Sequence, residues 1–429
     1  MKTHSSAKSN FGKKGWLVII FVFFLYLFSS TPPDTLNITA GYFAAKLGLE
    51  SSNSLLIFSA IGGFMGIPIG LILGWIISKW GVKWPTVGVL VIYAVTWFLN
   101  GQVNSYIMYG VIVILITSIS DAINLVSTQQ MMNNWFPKKK GIALGWATMG
   151  MCVDSAVMVA VFQGLITGKG LSAPFTLMTA ISLVLALITA VWFKAYPEQA
   201  GAYPDNEPIS EEEKQRNLGL INNYKSEWTT GRMLRNKEFW FLVLIFGFLF
   251  IGLVGMISQM VPRLTAIGME MNSAIMWLTI ASVIGVPASF LWGFVDQKFG
   301  TKKTVIWYCI LWTIMMLVAA LGSGLANVPI SCISVVFYAS LLGGLGNLMP
   351  SMVIQVFGRY DFPQANRFVS PFIVGIRSFA LLIVPIMLAM AGTGNENIGF
   401  RNVYIVFAVL SLISTILAVR ISDQTIGKQ

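Results

Sequence analysis

The stretch Phe362–Met390, FPQANRFVSPFIVGIRSFALLIVPIMLAM, is long and apolar enough to cross a lipid bilayer as a helix. It carries one charge near its middle, Arg377. A charge at that depth costs about 2.5–3.5 kcal/mol on insertion scales, so it usually faces a protein interior or a wet cavity. We therefore expect Arg377 to meet a ligand, an ion or a counter-charge. The alternative is that it only clamps a buried carboxylate and holds two helices together.

The rest of the chain has the same apolar character. Of its 429 residues, 56% are hydrophobic and 10% are charged, and runs of about 20 apolar residues recur along nearly the whole length. Soluble domains do not have this composition, so we predict an all-α polytopic membrane protein. The twelve predicted spans cover residues 16–46, 53–78, 84–101, 105–134, 140–167, 171–194, 238–262, 272–296, 303–322, 327–357, 364–391 and 399–420.

Few residues of this chain are suited to catalysis or to metal binding. The only histidine is His4, which excludes a histidine metal cluster and a histidine-based triad. The three cysteines lie inside apolar segments at unrelated spacings, so they are typical of small core residues. No nucleophile–base pair or phosphate-binding loop stands out either. We therefore expect no metal, no cofactor and no enzyme activity.

The distribution of positive charge predicts the topology. Twelve spans place both termini on one side, and 23 of the 28 Lys and Arg residues would lie on that side. Only Lys46, Lys169, Arg263 and Arg401 would lie in the opposite loops. The positive-inside rule then makes the termini cytoplasmic. The same asymmetry explains the net charge of +11 without a nucleic-acid partner. We expect a monomeric, multi-pass protein of a prokaryotic cell (inner or plasma) membrane.

A polar segment divides the chain into two halves. We predict an N-terminal six-helix bundle over residues 1–194, a cytoplasmic linker over 195–237 and a C-terminal six-helix bundle over 238–429. Within the linker, Ser210 and Glu213 have the spacing of a capping box, which predicts a short surface helix over about residues 211–224.

Two loops repeat between the halves. GWIISKWGVK begins at Gly74, between spans 2 and 3, and GFVDQKFGTKK begins 219 residues later at Gly293, between spans 8 and 9. A second pair, Trp135–Gly141 and Phe357–Arg367, has an offset of 222 residues. Parallel six-helix repeats are typical of transporters that alternate access around a site between the halves.

These loops resemble the signature of the major facilitator superfamily, which reads Gly, Asp, Arg/Lys, Gly, Arg/Lys. The segments NNWFPKKKGIALG after span 4 and RMLRNKEFW before span 7 are similar to the oxalate/formate antiporter and monocarboxylate porter branch. The resemblance implies a gating role for Gly74, Lys79, Gly81, Lys83, Gly293, Asp296, Lys298, Gly300, Lys302 and Lys303. The signature Asp is replaced by Ser78 and Gln297, with Asp296 one position early. Span 5 lacks the Gly-Pro signature of drug/proton antiporters, which disfavours a multidrug exporter.

Three acids lie within the predicted spans: Asp34, Asp121 and Asp154. Asp121, Asp154 and Arg377 each fall about 20 Å from a span end, near mid-bilayer. Asp34 follows a proline pair that frees backbone groups. The N-terminal half thus offers carboxylates and the C-terminal half a guanidinium. Three carboxylates against one cation leave excess negative charge, so at least one Asp is expected to hold a proton or to meet a bound cation.

Polar side chains follow helical spacing beside these charges. In span 4, Thr117, Asp121, Asn124 and Thr128 share one face of a regular helix. Interhelical hydrogen bonding is the alternative explanation of such stripes. We predict proton coupling at Asp34, Asp121 and Asp154. The predicted substrate-binding set is Arg377, Asp121, Asn124, Asp154, Trp146, Asn347 and Ser351.

The leading hypothesis is a secondary transporter of a small organic anion, driven by protons or by exchange, with Arg377 holding the carboxylate. The resemblance implies this substrate class, with a basic residue of span 11 at the anion. Span 8 lacks a mid-span cation, so a monocarboxylate fits better than a dicarboxylate. The alternative is a zwitterion or organic cation, such as an amino acid or a betaine, with an Asp and aromatic rings at the ammonium. A non-transporting sensor is disfavoured because the outer loops leave no ectodomain.

Overall fold

A computed structural model describes residues 10–136, 139–208, 210, 226–358, 361–422 and 425–426, with the side chains of Asn37, Asn53, Ser78, Lys140, Gly141 and Pro363 left out. Twelve apolar helices in this part of the chain are long enough to cross a membrane, and they confirm the predicted all-α fold. The N-terminal half contains span 1 (Gly12–Lys46), span 2 (Asn53–Trp80), span 3 (Lys83–Gly101), span 4 (Tyr106–Trp135, in three pieces), span 5 (Lys140–Lys169) and span 6 (Ala173–Val191).

The C-terminal half repeats this order. It contains span 7 (Lys237–Ser258 and Met260–Ala266), span 8 (Met271–Phe299), span 9 (Thr301–Gly324), span 10 (Val328–Leu342 and Gly344–Phe357), span 11 (Phe362–Arg377 and Ala380–Ala391) and span 12 (Glu396–Arg420). We call the side that carries both termini the terminal end and the other side the far end. Spans 2 and 8 end at matching glycines, Gly81 and Gly300, whose φ angles are 74° and 86°. A positive φ favours glycine, so the sequence repeat is also a repeat of backbone conformation.

Span 1 runs as a single helix through Pro32 and Pro33. Each proline lacks an N–H group, so the carbonyl oxygens four residues earlier lose their helical partner. Other helices supply the missing donors. Tyr93 of span 3 donates to the Phe28 oxygen at 3.1 Å, and Ser120 of span 4 donates to the Ser29 oxygen. The proline pair therefore connects span 1 to the rest of its half through side-chain hydroxyl groups.

The two halves meet closely along spans 2 and 11. Gly63, Gly66, Gly70 and Gly74 follow one face of span 2 and lie against span 11. A Cβ added at Gly63 would come within 2.8 Å of Ser378 Cβ, whereas one at Gly74 would lie 3.5 Å from Arg367 Cγ. Glycines allow this close approach of two helix backbones. The approach is therefore closest near mid-span and relaxes toward the terminal end.

The described parts of the linker pack against different halves. On the N-terminal half, the Lys139 amide donates to Asp205 at 2.7 Å, and the Lys139 ammonium lies 3.1 Å from Glu207. On the C-terminal half, Ser226 donates to Asp361 at 2.6 Å. The surface helix predicted over residues 211–224 lies outside the described residues.

One prediction about the loops is wrong. The sequence predicts Arg263 in a far-end loop, but span 7 continues to Ala266 after a break at Gln259, and the Arg263 side chain is fully buried. It donates to Ser323 at 3.1 Å and to Ser334 at 2.6 Å, and its guanidinium lies 5.0 Å from the centre of the Tyr404 ring. The C-terminal half therefore holds a second buried cation, whose described partners are neutral.

Candidate functional site

Arg377 and Asp121 form an ion pair between the two halves, from Nη2 to Oδ1. Both side chains are largely buried, at 15% and 6% exposure. Each residue lies where its span departs from regular helix. The first helix of span 11 ends at Arg377, and span 4 changes to a π-turn two residues after Asp121, over Ile123–Ser127. Such breaks in transmembrane helices are common at functional sites because they release backbone groups and redirect side chains.

A small cavity of about 30 Å³ lies beside this pair. One water molecule needs roughly 10–15 Å³ measured in the same way, so the cavity admits about two or three waters and is too small for an organic anion of more than a few atoms. In this conformation the ion pair therefore has little free space beside it. The lining residues belong to spans 1, 2, 4, 7 and 11 and are Pro32, Pro33, Leu36, Ser59, Gly63, Thr117, Ser120, Asp121, Val254, Arg377, Ser378 and Leu381.

The other two predicted acids form a separate site between spans 1 and 5. The carboxyl groups of Asp34 and Asp154 lie against each other, and both side chains are buried. Thr31 donates to Asp154 Oδ1 at 2.7 Å, and Ser155 donates to Asp34 Oδ2. Within the part of the chain that the structure describes, no group donates a hydrogen bond to Asp154 Oδ2. Since Pro32 and Pro33 line the cavity while Asp34 faces span 5, span 1 separates the ion pair from the carboxyl pair.

A second polar contact joins the halves through spans 4 and 11. Asn366 Nδ2 donates to Gln129 Oε1 at 2.6 Å, and Ser370 donates to Asn366 Oδ1 at 3.0 Å. All three side chains are buried. This amide contact therefore uses the same two spans as the ion pair, with the charged contact near mid-span and the amide contact toward the terminal end.

The π-turn explains how one face of span 4 makes both contacts. In a regular helix, eight residues of separation would turn Gln129 about 80° away from Asp121. A π-turn inserts one residue, so the effective separation is seven residues and the offset falls to about 20°. On span 11, eleven residues separate Asn366 from Arg377, which again gives an offset of about 20°. The inserted residue thus brings both partners of span 4 toward span 11.

Five of the predicted substrate-binding residues lie outside the described cavity lining, among them Asp154, which belongs to the carboxyl pair. Asn124 donates to Ser30 of span 1 at 3.3 Å. Asn347 donates to the Ser289 oxygen at 2.9 Å, on the seam between spans 5 and 8. Trp146 packs edge-on against Trp16, with ring centres 5.5 Å apart. Ser351 lies beside Asp296 near the terminal end of span 8.

The predicted gating residues occupy the terminal end. Gly74 packs against Arg367 of the opposite half. The Lys79 ammonium stands 4.1 Å from the centre of the Trp75 ring, and Lys83 stands 5.5 Å from that of Trp84. In the second copy, Lys298 lies over the rings of Phe294 and Phe299. Lys302 and Lys303 lie in the first turn of span 9. The described contacts of Lys79, Lys83 and Lys298 are thus to aromatic rings of their own half.

The sequence patterns did not identify Gln129 and Asn366. In a regular helix, Asn124 and Thr128 would share the face of Asp121. The π-turn adds one residue, so Gln129 lies on that face instead. Asn366 lies eleven residues before Arg377, on the same helical face, and that spacing was the available signal. Arg263 was missed because span 7 is one turn longer than its apolar run suggested.

The family model described as Major Facilitator Superfamily matches residues 18–360. The chain belongs to the major facilitator superfamily. It is therefore an integral, multi-pass membrane transporter, and transporters of this superfamily bind small-molecule substrates and often couple to protons.

Two relatives have similar sequences. The chain is 22% identical over 364 residues to the "Uncharacterized MFS-type transporter YhjX" of Escherichia coli (strain K12), covering 82% of each chain. It is 23% identical over 296 residues to the "Oxalate:formate antiporter" of Oxalobacter formigenes, covering 67% of this chain and 63% of that protein.

Solved structures agree with the fold. The D-xylose-proton symporter superposes with a TM-score of 0.70 at 16% identity, over 96% of this chain and 99% of that one. A bacterial homolog of the human lysosomal transporter Spinster, in an inward-facing and occupied conformation, gives 0.65 at 15% identity, over 95% and 98%. At these identities the likeness concerns the fold alone.

Proposed function

We propose that this protein is a secondary transporter of a small organic anion, most simply a monocarboxylate, and that Arg377 binds the carboxylate. The observation that carries the proposal is the ion pair between Arg377 and Asp121. The Arg377 guanidinium keeps its charge and already binds one carboxylate, that of Asp121, beside a cavity between the halves. It is therefore suited to exchange the Asp121 carboxylate for that of a substrate. The similarity to an oxalate:formate antiporter supports the same substrate class.

The lining of the cavity supports a small substrate. Its polar groups besides the ion pair are hydroxyls, including Ser59, Thr117 and Ser378, and the remainder is apolar, including Leu36 and Val254. One carboxylate and a short apolar body would match this surface. The second buried cation, Arg263, donates to neutral side chains of its own half and is not part of this lining. One cation at the site favours a monocarboxylate over a dicarboxylate.

The carboxyl pair supports proton coupling in this proposal. Two carboxylates in direct contact and away from water cannot both be ionised at an acceptable cost. One proton held between Asp34 and Asp154 removes the repulsion, and it also gives the unpartnered Asp154 Oδ2 a hydrogen bond. Because span 1 carries Asp34 and also lines the cavity, its movement would connect proton release with opening of the substrate site.

The proposal includes the membrane arrangement. We infer that residues 1–194 and 238–429 move as two bundles joined by the linker 195–237, in the inner or plasma membrane of a prokaryote. The excess of Lys and Arg at the terminal end supports cytoplasmic termini. For substrate to reach either side of the membrane, the contacts between the two halves on that side would have to open. The seam of spans 2 and 11 is one of these contacts.

A zwitterion is the second candidate, and the ion pair itself favours it. An amino acid could place its carboxylate on Arg377 and its ammonium on Asp121, which would leave neither buried charge unpaired. The described lining contains no aromatic ring, so it offers no cation–π cage for a quaternary ammonium. A primary ammonium is therefore a better match than a betaine.

The test is thermal stability of the purified protein with a panel of small monocarboxylates, dicarboxylates, amino acids and betaines, at two pH values. A ligand that binds the folded state raises its apparent stability by an amount that grows with the ligand concentration relative to the Kd. We expect monocarboxylates to stabilise the wild type and the Arg420→Gln control, whose arginine is exposed at the end of span 12, but not Arg377→Gln. Stabilisation by amino acids alone would favour the second candidate. Carboxylate responses that persist in Arg377→Gln would refute the site.

A further inference from the structure

We propose that Lys79 and Lys298, each with its flanking aromatic rings, bind the phosphate of an anionic phospholipid at the terminal end of each half. The starting observation is the internal repeat. At the common offset of 219 residues, Trp75 matches Phe294, Lys79 matches Lys298 and Trp80 matches Phe299. Both copies therefore place a lysine four residues after one aromatic residue and directly before another, at the end of a membrane-spanning helix.

The side chains are arranged similarly in the two copies. The Lys79 ammonium stands 4.1 Å from the centre of the Trp75 ring, and the Lys298 ammonium stands 5.9 Å and 5.4 Å from those of Phe294 and Phe299. The rings face outward, with Trp80 70% exposed and Phe294 54% exposed. Large aromatic rings exposed at the end of a span lie at the level of the lipid headgroups.

These two lysines have no carboxylate partner among the described residues. The family signature supplies an acid beside each lysine, but here those positions are Ser78 and Gln297, and the neighbouring Asp296 lies toward Thr301 and Ser351. The charged neighbour of the first copy is another cation, since Lys194 lies near Lys83. An anion is therefore the complementary occupant of this surface.

The surroundings favour a lipid phosphate as that anion. A lysine is a compact point charge that can bind a phosphate while its stem covers an aromatic face. The exposed rings next to it would contact the glycerol and upper acyl region of the same lipid. Basic residues near an anionic membrane surface are attracted to its headgroups. Free phosphate would gain the charge interaction but not the apolar contact.

Lipid binding at Lys79 and Lys298 would change the role expected for the two repeated loops. In this structure the lysines contact aromatic rings of their own half, whereas a gating role calls for contacts between the halves. If lipid headgroups hold Lys79 and Lys298, anionic lipid stabilises each half separately at the membrane surface. The closure between the halves is then left to the helix contacts that join them, which include the seam of spans 2 and 11, the polar contacts of spans 4 and 11 and the seam of spans 5 and 8.

The experiment compares thermal stability of the detergent-purified, full-length protein with short-chain phosphatidylglycerol, phosphatidylcholine or inorganic phosphate added at equal concentration. We expect phosphatidylglycerol alone to stabilise the wild type by several degrees. The double variant Lys79→Gln/Lys298→Gln should lose most of this response, each single variant about half, and Lys79→Arg/Lys298→Arg should keep it. The matched control is Lys237→Gln, an exposed lysine at the same end that lies 3.9 Å from Glu238.

Two results would overturn the proposal. One is an equal phosphatidylglycerol response in the wild type and in Lys79→Gln/Lys298→Gln. The other is an equal response to inorganic phosphate, which would mean a free-anion site. If the double Gln variant fails to fold, Trp80→Ala/Phe299→Ala provides the second test. This double variant keeps both lysines but removes the outer aromatic rings. We therefore expect it to be stabilised less by phosphatidylglycerol than the wild type is. Equal stabilisation would contradict the proposal.

Discussion

The Asn366 side-chain amide donates a hydrogen bond of 2.6 Å to Gln129 Oε1 across the boundary between the two halves. It lies on the same two spans as the ion pair between Asp121 and Arg377. A hydrogen bond between two neutral amides differs from an ion pair in how it responds to separation of the halves. When the halves part, water can satisfy both amides at little cost, so the bond can open and close without a charge being left unpaired.

The amide contact predicts coupling between its two partners. In Asn366→Leu or Gln129→Leu the remaining buried amide loses its partner, which costs about 1–3 kcal/mol. The double Leu variant should recover part of this loss, giving a coupling energy of about 0.5–3 kcal/mol in a double-mutant cycle on thermal stability. Asn366→Leu combined with Gln163→Leu is the control pair, because Gln163 bonds Tyr42 elsewhere, and its effects should add. Strict additivity of the Gln129 pair would exclude the contact.

Asp121→Asn should strengthen binding of the substrate anion while weakening the empty protein. Removing the carboxylate leaves Arg377 buried without its counter-charge, a loss of about 3–5 kcal/mol for a typical buried pair. The anion then binds without displacing Asp121. We expect a lower melting temperature without ligand and a larger rise with monocarboxylate than in the wild type.

The control for this prediction is Asp154→Asn, which removes a buried carboxyl group that does not bond Arg377. Its ligand-induced rise should remain as in the wild type. A smaller rise in Asp121→Asn than in the wild type would show that Asp121 helps to hold the substrate, and this result would favour the zwitterion.

The carboxyl pair predicts a separation of two transport activities. Asp34→Asn and Asp154→Asn keep the shape of the pair but remove the shared proton. In proteoliposomes, uptake driven by an imposed proton gradient should be lost, while exchange of substrate against substrate should continue. Thr31→Val removes only the hydrogen bond of 2.7 Å to Asp154 and should retain both activities. Loss of exchange in a well-folded Asp34→Asn protein would place the pair in substrate binding instead.

The glycine face of span 2 predicts a graded response to added methyl groups. A Cβ at Gly63 would be 2.8 Å from Ser378 Cβ, so Gly63→Ala cannot coexist with the observed closure. Overpacking of this kind costs about 1–3 kcal/mol. Gly74→Ala, with 3.5 Å to Arg367 Cγ, should need little adjustment, and Gly88→Ala of span 3, where an added Cβ meets no described atom within 4 Å, is the control and should transport normally. Ser378→Gly should restore transport to Gly63→Ala, and failure of this rescue would argue that closure at Gly63 is not the limiting contact.

The sequence was sufficient for the all-helical, twelve-span architecture because hydropathy acts on whole spans. It also placed Arg377 and Asp121 at similar depth, which follows from counting residues along two helices. It could not show that Asp121 alone meets Arg377 while Asp34 meets Asp154. Those pairings depend on how each helix is rotated about its axis, and rotation depends on packing. The π-turn at Ile123–Ser127 is the clearest case, since one inserted residue turns Asn124 toward span 1 and Gln129 toward span 11.

The two buried arginines predict opposite outcomes of the same measurement. Arg263 binds Ser323 and Ser334 of its own half, so it connects spans 7, 9 and 10 and has no described carboxylate partner. Arg263→Lys keeps the charge but cannot reproduce the planar set of donors, and it should lower the melting temperature. The rise induced by monocarboxylate should nevertheless persist, because Arg377 is intact. Arg377→Lys should instead weaken that rise. If Arg263→Lys removes the response while the protein stays folded, the anion is held by both cations, and a dicarboxylate becomes the better substrate.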